Sequence, residues 1–236
     1  MLSLDCYEKL RDGKYNAPQY KSFLVTIPLR RQGPWEVHKI EVELDLSNLR
    51  MMRDGRGCYP GTYTQLVHKT RGTVMSDTTA EADDAIPFVR QAKGRVLIHG
   101  LGLGAVLQAV LAKTEVAHVD VVEIDADIIA LVGDHYNCER LTIHHGDALT
   151  YKWPRGTRWN IVWHDIWDNI CTDNLPTMKR LRRMFARRCD VQMCWAEGWC
   201  RRSPCCNGTP CFSRSKHVIG EATGSKLKLR VVAGRK

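Results

Sequence analysis

The chain has 236 residues, 44% hydrophobic and 26% charged, which is enough to bury a full core in one large domain with an appendage. It holds no run of 18 apolar residues and its first residues, MLSLDCYEKLRDGKYN, lack an apolar core of signal-peptide length; a membrane protein is excluded and a cytoplasmic one expected. The formal net charge is +9, but residues 201–236 carry nine Lys/Arg against Glu221 alone, so the tail supplies a net +8 and the rest of the chain is nearly neutral; the total is therefore weak evidence that the folded body binds nucleic acid.

In chain order, Ser22–Pro28 is a first strand candidate. Residues 37–46 alternate apolar and polar (Ile40, Val42, Leu44 and Leu46 on one side), the pattern of a half-buried antiparallel strand. Arg53–Gly57 is a turn, and Tyr63–His68 and Thr73–Met75 are two more short strands. Residues 1–75 thus form a small β-rich region. Ser76–Glu81, oxygen-bearing residues followed by an acid, predicts a helix start, with the helix running to about Ala92. Asp77 and Glu81 stand at its beginning, either capping the edge of a pocket or facing into it.

The organising stretch is Arg95–Asp125. Val96-Leu97-Ile98 reads as a buried strand, Gly100-Leu101-Gly102-Leu103-Gly104 as a tight turn, Ala105–Ala112 as a helix, and Val119–Ile124 as a second strand ending in Glu123 and Asp125. Glycine lets a backbone turn sharply and approach a ligand. A helix N-terminus offers free N–H groups, and an acid at the next strand tip accepts hydrogen bonds from ribose hydroxyls. The unit reads as a nucleoside-cofactor cradle. Further on, Asp127–His135 is helical, Leu141–His145 a strand followed by Gly146-Asp147-Ala148, Trp159–His164 a strand followed by Asp165-Ile166-Trp167-Asp168, Thr177–Arg188 a basic amphipathic helix, and Val191–Trp195 a fifth strand. Alternating strands and helices predict a parallel α/β sheet over residues 76–200. Gly100–Gly104, Glu123 and Asp125, Asp147, and Asp165 and Asp168 all fall at C-terminal strand ends, where such sheets bind ligands. Residues 201–236 form a basic tail with Cys205, Cys206 and Cys211; none of the chain's cysteines has Cys-x-x-Cys spacing, so no metal site is expected and the ten thiols are read as free.

This constellation resembles the class I S-adenosylmethionine-dependent methyltransferases, and within them the spermidine synthase-like branch. The resemblance rests on aliphatic Ile98 two residues before the first glycine, Val122-Glu123-Ile124-Asp125, Gly146-Asp147 and Asp165-x-x-Asp168, with a looser likeness at Gly61-Thr62-Tyr63-Thr64-Gln65. It implies a Rossmann-like sheet with a small β-rich N-terminal region and a cofactor that is S-adenosylmethionine or its decarboxylated form. By that likeness Gly100, Gly102 and Gly104 approach the amino-acid part of the cofactor, Glu123 the ribose and Asp147 the adenine amine, and Asp165 lies beside the transferred group; Asp125, Ala148, Gln65 and Asp77 are further candidates for the cofactor site, and Asp165 and Asp168 are the catalytic candidates. Asp165 orients the acceptor or takes its proton. The branch's Tyr-His-Glu-type segment is replaced by Glu81-Ala82-Asp83 and the residue after the second acid is Asn169. Methyl transfer is therefore the leading expectation. Aminopropyl transfer to a polyamine and a catalytically silent nucleoside-binding protein are the alternatives. The acceptor is open between a small molecule and nucleic acid, and a homodimer is allowed.

Overall fold

The computed structural model describes residues 18–43 and 45–202; the expectations for the Cys-containing tail lie outside them. Two sheets are present. The first is antiparallel, β1 (Arg31–Gln32), β2 (Trp35–Val42), β3 (Gly61–His68) and β4 (Gly72–Ser76) in that order. The second has the order β7-β6-β5-β8-β9, built from β5 (Gly94–His99), β6 (Val116–Glu123), β7 (Leu141–His145), β8 (Trp159–His164) and β9 (Cys189–Cys194), and every pairing in it is parallel. Counted from its first strand this is the 3-2-1-4-5 order of a Rossmann-like sheet, the α/β class expected. The order reverses between β5 and β8, and ligand crevices form at such switch points.

The helices are α1 (Leu46–Arg53), α2 (Thr79–Gln91), α3 (Ala105–Leu111), α4 (Ala126–Val132), α5 (Leu175–Phe185) and α6 (Glu197–Arg202). Strands covered on both faces read as unbroken apolar runs, and Val96, Leu97 and Ile98 are all buried. Val96 and Ile98 belong to the main core with Phe88, Leu107 and Leu131 from α2, α3 and α4, whereas Leu97 packs with Leu181 and Phe185 of α5 on the other face. None of the helices among the described residues is long and apolar enough to cross a membrane.

Two expectations fail locally. Ser22–Pro28 is no strand: Pro18–Phe23 makes a 3₁₀ turn and residues 24–28 pair with no strand. Its alternation is real, with Phe23, Val25 and Ile27 buried, but the segment is an extended strap, held where the Val25 N–H donates to Asp77 Oδ2 at 2.9 Å. The alternating run from residue 37 also does not continue to 46. β2 ends at Val42, and α1 begins where the Asp45 side chain accepts from the Asn48 N–H at 2.6 Å. Leu46, 76% exposed, has no core to face.

The sheet is tied near its middle by Asp120 on β6. This buried carboxylate accepts from Arg95 Nε (2.8 Å) and Trp159 Nε1 (2.8 Å) and pairs with His144 Nε2 (3.0 Å), so four strands meet on one charge. Burial alone would raise its pKa, but the hydrogen bonds from Arg95, His144 and Trp159 outweigh it and the net shift is downward. At the C-terminal strand ends, His99 and His164 close β5 against β8, Nδ1 to Nδ1 at 2.8 Å, both fully buried beside Phe185. The Gln192 amide nitrogen donates to the Arg182 carbonyl, so its oxygen accepts from His164 Nε2 at 3.1 Å. His164 Nδ1 is then an acceptor, His99 Nδ1 carries the proton, and His99 Nε2 is left as a buried lone pair without a partner.

Candidate active site

A pocket of about 440 Å³ lies outside the C-terminal ends of β5, β6, β7 and β8, within the size range of small-molecule sites. Gly100, Gly102, Glu123, Asp125, Asp147, Ala148, Asp165 and Asp168 all line it. The fold thus brings together residues spread over nearly 70 positions of sequence.

The geometry gives each a definite partner. Gly100 has φ +91°, and a Cβ there would lie 2.0 Å from the Asp165 carbonyl oxygen; glycine is required because the backbone leaving β8 passes close beside the turn. Glu123 accepts from the Leu101 N–H at 2.7 Å and from the Asp125 N–H at 2.9 Å. Its carboxylate therefore locks the glycine turn, and each oxygen keeps a lone pair for a ligand hydroxyl. Asp125 is more fully engaged. It caps α4 by accepting from the Asp127 N–H at 2.9 Å, and it accepts from Trp35 Nε1 at 2.8 Å. Asp147 accepts from the Leu149 N–H through Oδ1 at 2.8 Å. Asp168 is paired with Arg71 at 3.3 Å, both nearly half exposed.

Three expected residues stand elsewhere. Gly104 (φ +72°) caps α3, and a Cβ there would meet the Tyr136 ring at 2.3 Å, so packing rather than a ligand demands the glycine. Asp77 is buried and spends its oxygens on the Thr64 N–H (2.6 Å) and Val25 N–H (2.9 Å); it reaches only a small recess of about 20 Å³ behind the pocket. Gln65 is buried in β3 between β2 and β4 and does not line the pocket.

Several pocket residues carried no motif. Trp35 and Arg71 come from the antiparallel sheet, with the Arg71 guanidinium 4.7 Å from the Trp35 ring centre. Together they bridge to Asp125 and Asp168 across the pocket. Met75 on β4 lies against the glycine turn, its sulfur accepting from the Leu103 N–H at 3.0 Å. Trp195 follows β9 at Ala196, whose φ of +47° is a strained conformation for a residue with a Cβ. Glu81, at the start of α2, lines both pocket and recess beside Asp165 and Trp195. Its sequence position admitted this placement without requiring it. Strand alternation sorts the aromatic cluster: Trp163 and Asp165 face the recess, while His164 lies on the opposite face with His99.

Among the described residues, six carboxyl groups (Glu81, Glu123, Asp125, Asp147, Asp165 and Asp168) and a single cation, Arg71, line the pocket. Burial pushes Asp165 well above the usual carboxylate range, and the negative charge of Glu81 pushes it further; the Trp163 Nε1 contact at 3.4 Å opposes this weakly. Glu81 is pushed up to about 7, first by burial, against the pull of nearby Arg56 and a hydrogen bond from Trp195. Two carboxyl groups with raised pKa values sit in one recess, an arrangement that recurs at acid–base sites.

No protein-family model matches the chain. Over 52 residues it is 42% identical to the ribosomal RNA small subunit methyltransferase A of Dechloromonas aromatica and 48% identical to that of Aromatoleum aromaticum. These matches cover 22% of this chain and 20% and 19% of the relatives, about a fifth of their length. Among solved structures, the N-methyltransferase NodS of Bradyrhizobium japonicum aligns with a TM-score of 0.37 at 12% identity, covering 57% of this chain and 69% of that one. A dimethyladenosine transferase of Plasmodium falciparum gives 0.32 at 20% identity, covering 42% and 34%. These scores are low, and the fold assignment rests on the strand order itself. None of the relatives named here is an aminopropyltransferase, and the spermidine synthase-like branch gains no support from them.

Proposed function

We propose that the protein is an S-adenosylmethionine-dependent methyltransferase in which Asp165 orients and deprotonates the acceptor. The observation that carries this reading is the convergence of the glycine turn, Glu123, Asp147 and Asp165 on one pocket at the switch point of the sheet. The residues fit such a cofactor. Glu123 and Asp147 supply acceptors for hydroxyl and amino groups, apolar Leu66, Ile128, Leu149 and Trp167 supply walls for a flat base, and the acidic lining suits a positive charge. When bound, S-adenosylmethionine supplies a methyl group on a sulfonium centre.

What the chain itself must do is align the acceptor and hold its proton. Asp165 lies at the end of β8 with its backbone fixed by the bond from its N–H to the His99 carbonyl at 3.0 Å. Its raised pKa makes it a stronger base than an ordinary aspartate, and Glu81 in the same recess is a second carboxyl group that can take up the proton. Asp168, tied to Arg71, orders the rim. The decarboxylated cofactor and aminopropyl transfer are not carried forward, since no relative named above supports them. Ribosomal RNA, the acceptor in the relatives' names, is the acceptor class we carry over.

Calorimetric titration with S-adenosylmethionine, its decarboxylated form and NAD tests the cofactor. Saturable binding of S-adenosylmethionine is expected, and NAD binding without it would overturn the reading. Transfer of radiolabelled methyl to RNA then tests the acceptor.

A further inference from the structure

The acidic pocket leaves a phosphodiester chain with nothing to hold it, yet the folded body carries a concentrated positive surface at another place. Residues 148–164 and 174–189 contain no Asp or Glu. The fold brings these two stretches together. Arg158 donates to the Arg187 carbonyl at 2.6 Å, and Arg188 donates to the carbonyls of Pro154 and Thr157, each at 3.3 Å. The β7–β8 loop therefore lies against the C-terminal end of α5. Arg155 from that loop, Arg187 from the turn after α5, and Arg180 and Arg183 on its outer face are all exposed. Their guanidinium groups have no acidic partner among the described residues. Of the nearby acids, Asp190 is paired with Arg158 at 3.2 Å and Glu197 with Arg182 of α5.

Residues three and four apart on a helix are neighbours, and like charges so placed destabilise it. The fold recovers nothing from this repulsion. The repulsion costs the helix a few tenths of a kcal/mol per pair, and negative charge from outside would relieve it. Arg155 and Arg187 lie where β8 and β9 begin, with Arg183 and Arg180 further along α5, whereas the pocket lies where β8 ends. A strand of six residues separates the first two from the pocket by about 20 Å at 3.3 Å per residue, so the patch is no part of the cofactor site.

We propose that this arginine surface docks the sugar–phosphate backbone of RNA. A charged lipid surface is the less suitable occupant. Helix α5 has already spent its apolar face, with Met178, Leu181 and Phe185 buried, and has no apolar face left to sink into a bilayer. Guanidinium forks match phosphate oxygens two at a time. The proposal deepens the RNA-acceptor reading given above, and it is tested by binding rather than by turnover.

The test uses the full chain and a fluorescein-labelled single-stranded RNA oligonucleotide, with affinity read by anisotropy from about 50 to about 200 mM salt. Replacing Arg155, Arg180, Arg183 and Arg187 together by Gln removes four cations. The slope of log affinity against log salt should become shallower by about 3, at roughly 0.7 per phosphate contact on a single strand. Lysines at the same four positions should keep the slope. The basic residues 201–236 are present in every variant, so the difference reports the patch alone. If the fourfold variant does not fold, Arg180→Gln with Arg183→Gln should lower the slope by about 1.4. An unchanged slope overturns the proposal. So does binding to phosphatidylserine vesicles but not to RNA, which would assign the surface to a membrane. Wild-type protein that binds S-adenosylmethionine but no RNA would refute the docking surface and leave the cofactor reading standing.

Discussion

Replacing Asp165 by Asn is the most direct probe of the proposed chemistry. The backbone at this position is fixed twice, by the N–H bond to the His99 carbonyl at 3.0 Å and by the close passage of its own carbonyl over Gly100. The amide keeps the shape and an oxygen for Trp163 Nε1, so the pocket should be unchanged while charge and basicity disappear. A positioned acid–base group contributes roughly 10²–10⁴-fold to rate, which is about 3–5 kcal/mol of barrier. Turnover should fall by that factor while S-adenosylmethionine affinity, read by calorimetry, changes little. Single-turnover transfer of labelled methyl gives the rate. The pH profile adds an independent readout. Burial and the Glu81 charge hold the Asp165 pKa up, and a base acts only when deprotonated. The wild-type rate should therefore rise with pH above the ordinary carboxylate range. Glu81→Gln removes one source of that shift, so the rising limb should move to lower pH. Turnover that survives intact in Asp165→Asn, or a limb that stays fixed in Glu81→Gln, would remove these residues from the mechanism.

Two further outcomes follow from other parts of the structure. Glu123→Ala should weaken S-adenosylmethionine binding by about 1.5–3 kcal/mol, the range for hydrogen bonds to charged groups, and should also loosen the Leu101 turn; unchanged calorimetric affinity would unseat Glu123 as a ligand acceptor. His164 is held neutral by burial, its pKa lowered to about 4, against about 6.5 when unfolded. Its contribution to stability is whole above the unfolded value and is lost as pH falls from about 6.5 toward 4, by up to about 3 kcal/mol. Because raised groups such as Glu81 act with the opposite sign, the measurement is a difference: the gap in denaturant stability between wild type and His164→Gln should narrow over that interval, and a constant gap would refute the linkage.

The parallel sheet was legible because burial on both faces forces nearly unbroken apolar runs, as in Val96–Ile98 and Trp159–His164, and because glycines and acids mark where such strands end. β7 and β8 match the expected bounds residue for residue. The antiparallel region was harder. Alternation reports one-sided burial, and Phe23, Val25 and Ile27 achieve that in a strap without a ladder. Leu46 continued the pattern by chance, while Asp45, whose side chain caps the next helix, ended the strand. The glycines illustrate a similar limit. Gly100 and Gly104 look alike in sequence, but only the fold tells that one lies against the Asp165 backbone and the other against Tyr136. Trp35, Arg71, Met75 and Trp195 reach the pocket from elements with no sequence link to the Gly-rich turn, so no spacing could have named them.

The distribution of charge explains why a methyltransferase of this shape would need two surfaces. A cation in the pocket is drawn in by the acidic lining, and the same lining repels a phosphodiester. An RNA acceptor can then present only a base to Asp165, while its backbone must be held by something outside. Arg71 cannot serve, because Asp168 and the Trp35 ring already engage it. The exposed arginines of α5 and the β7–β8 loop are free to do so, and they lie toward the far end of the sheet, where their field does not weaken the attraction of the pocket for a sulfonium. At an ionic strength near 0.15 M the screening length is about 8 Å, shorter than the strand that separates the two. Under the two proposals each surface acts on its own ligand: the pocket on a small cation, the arginines on a polyanion.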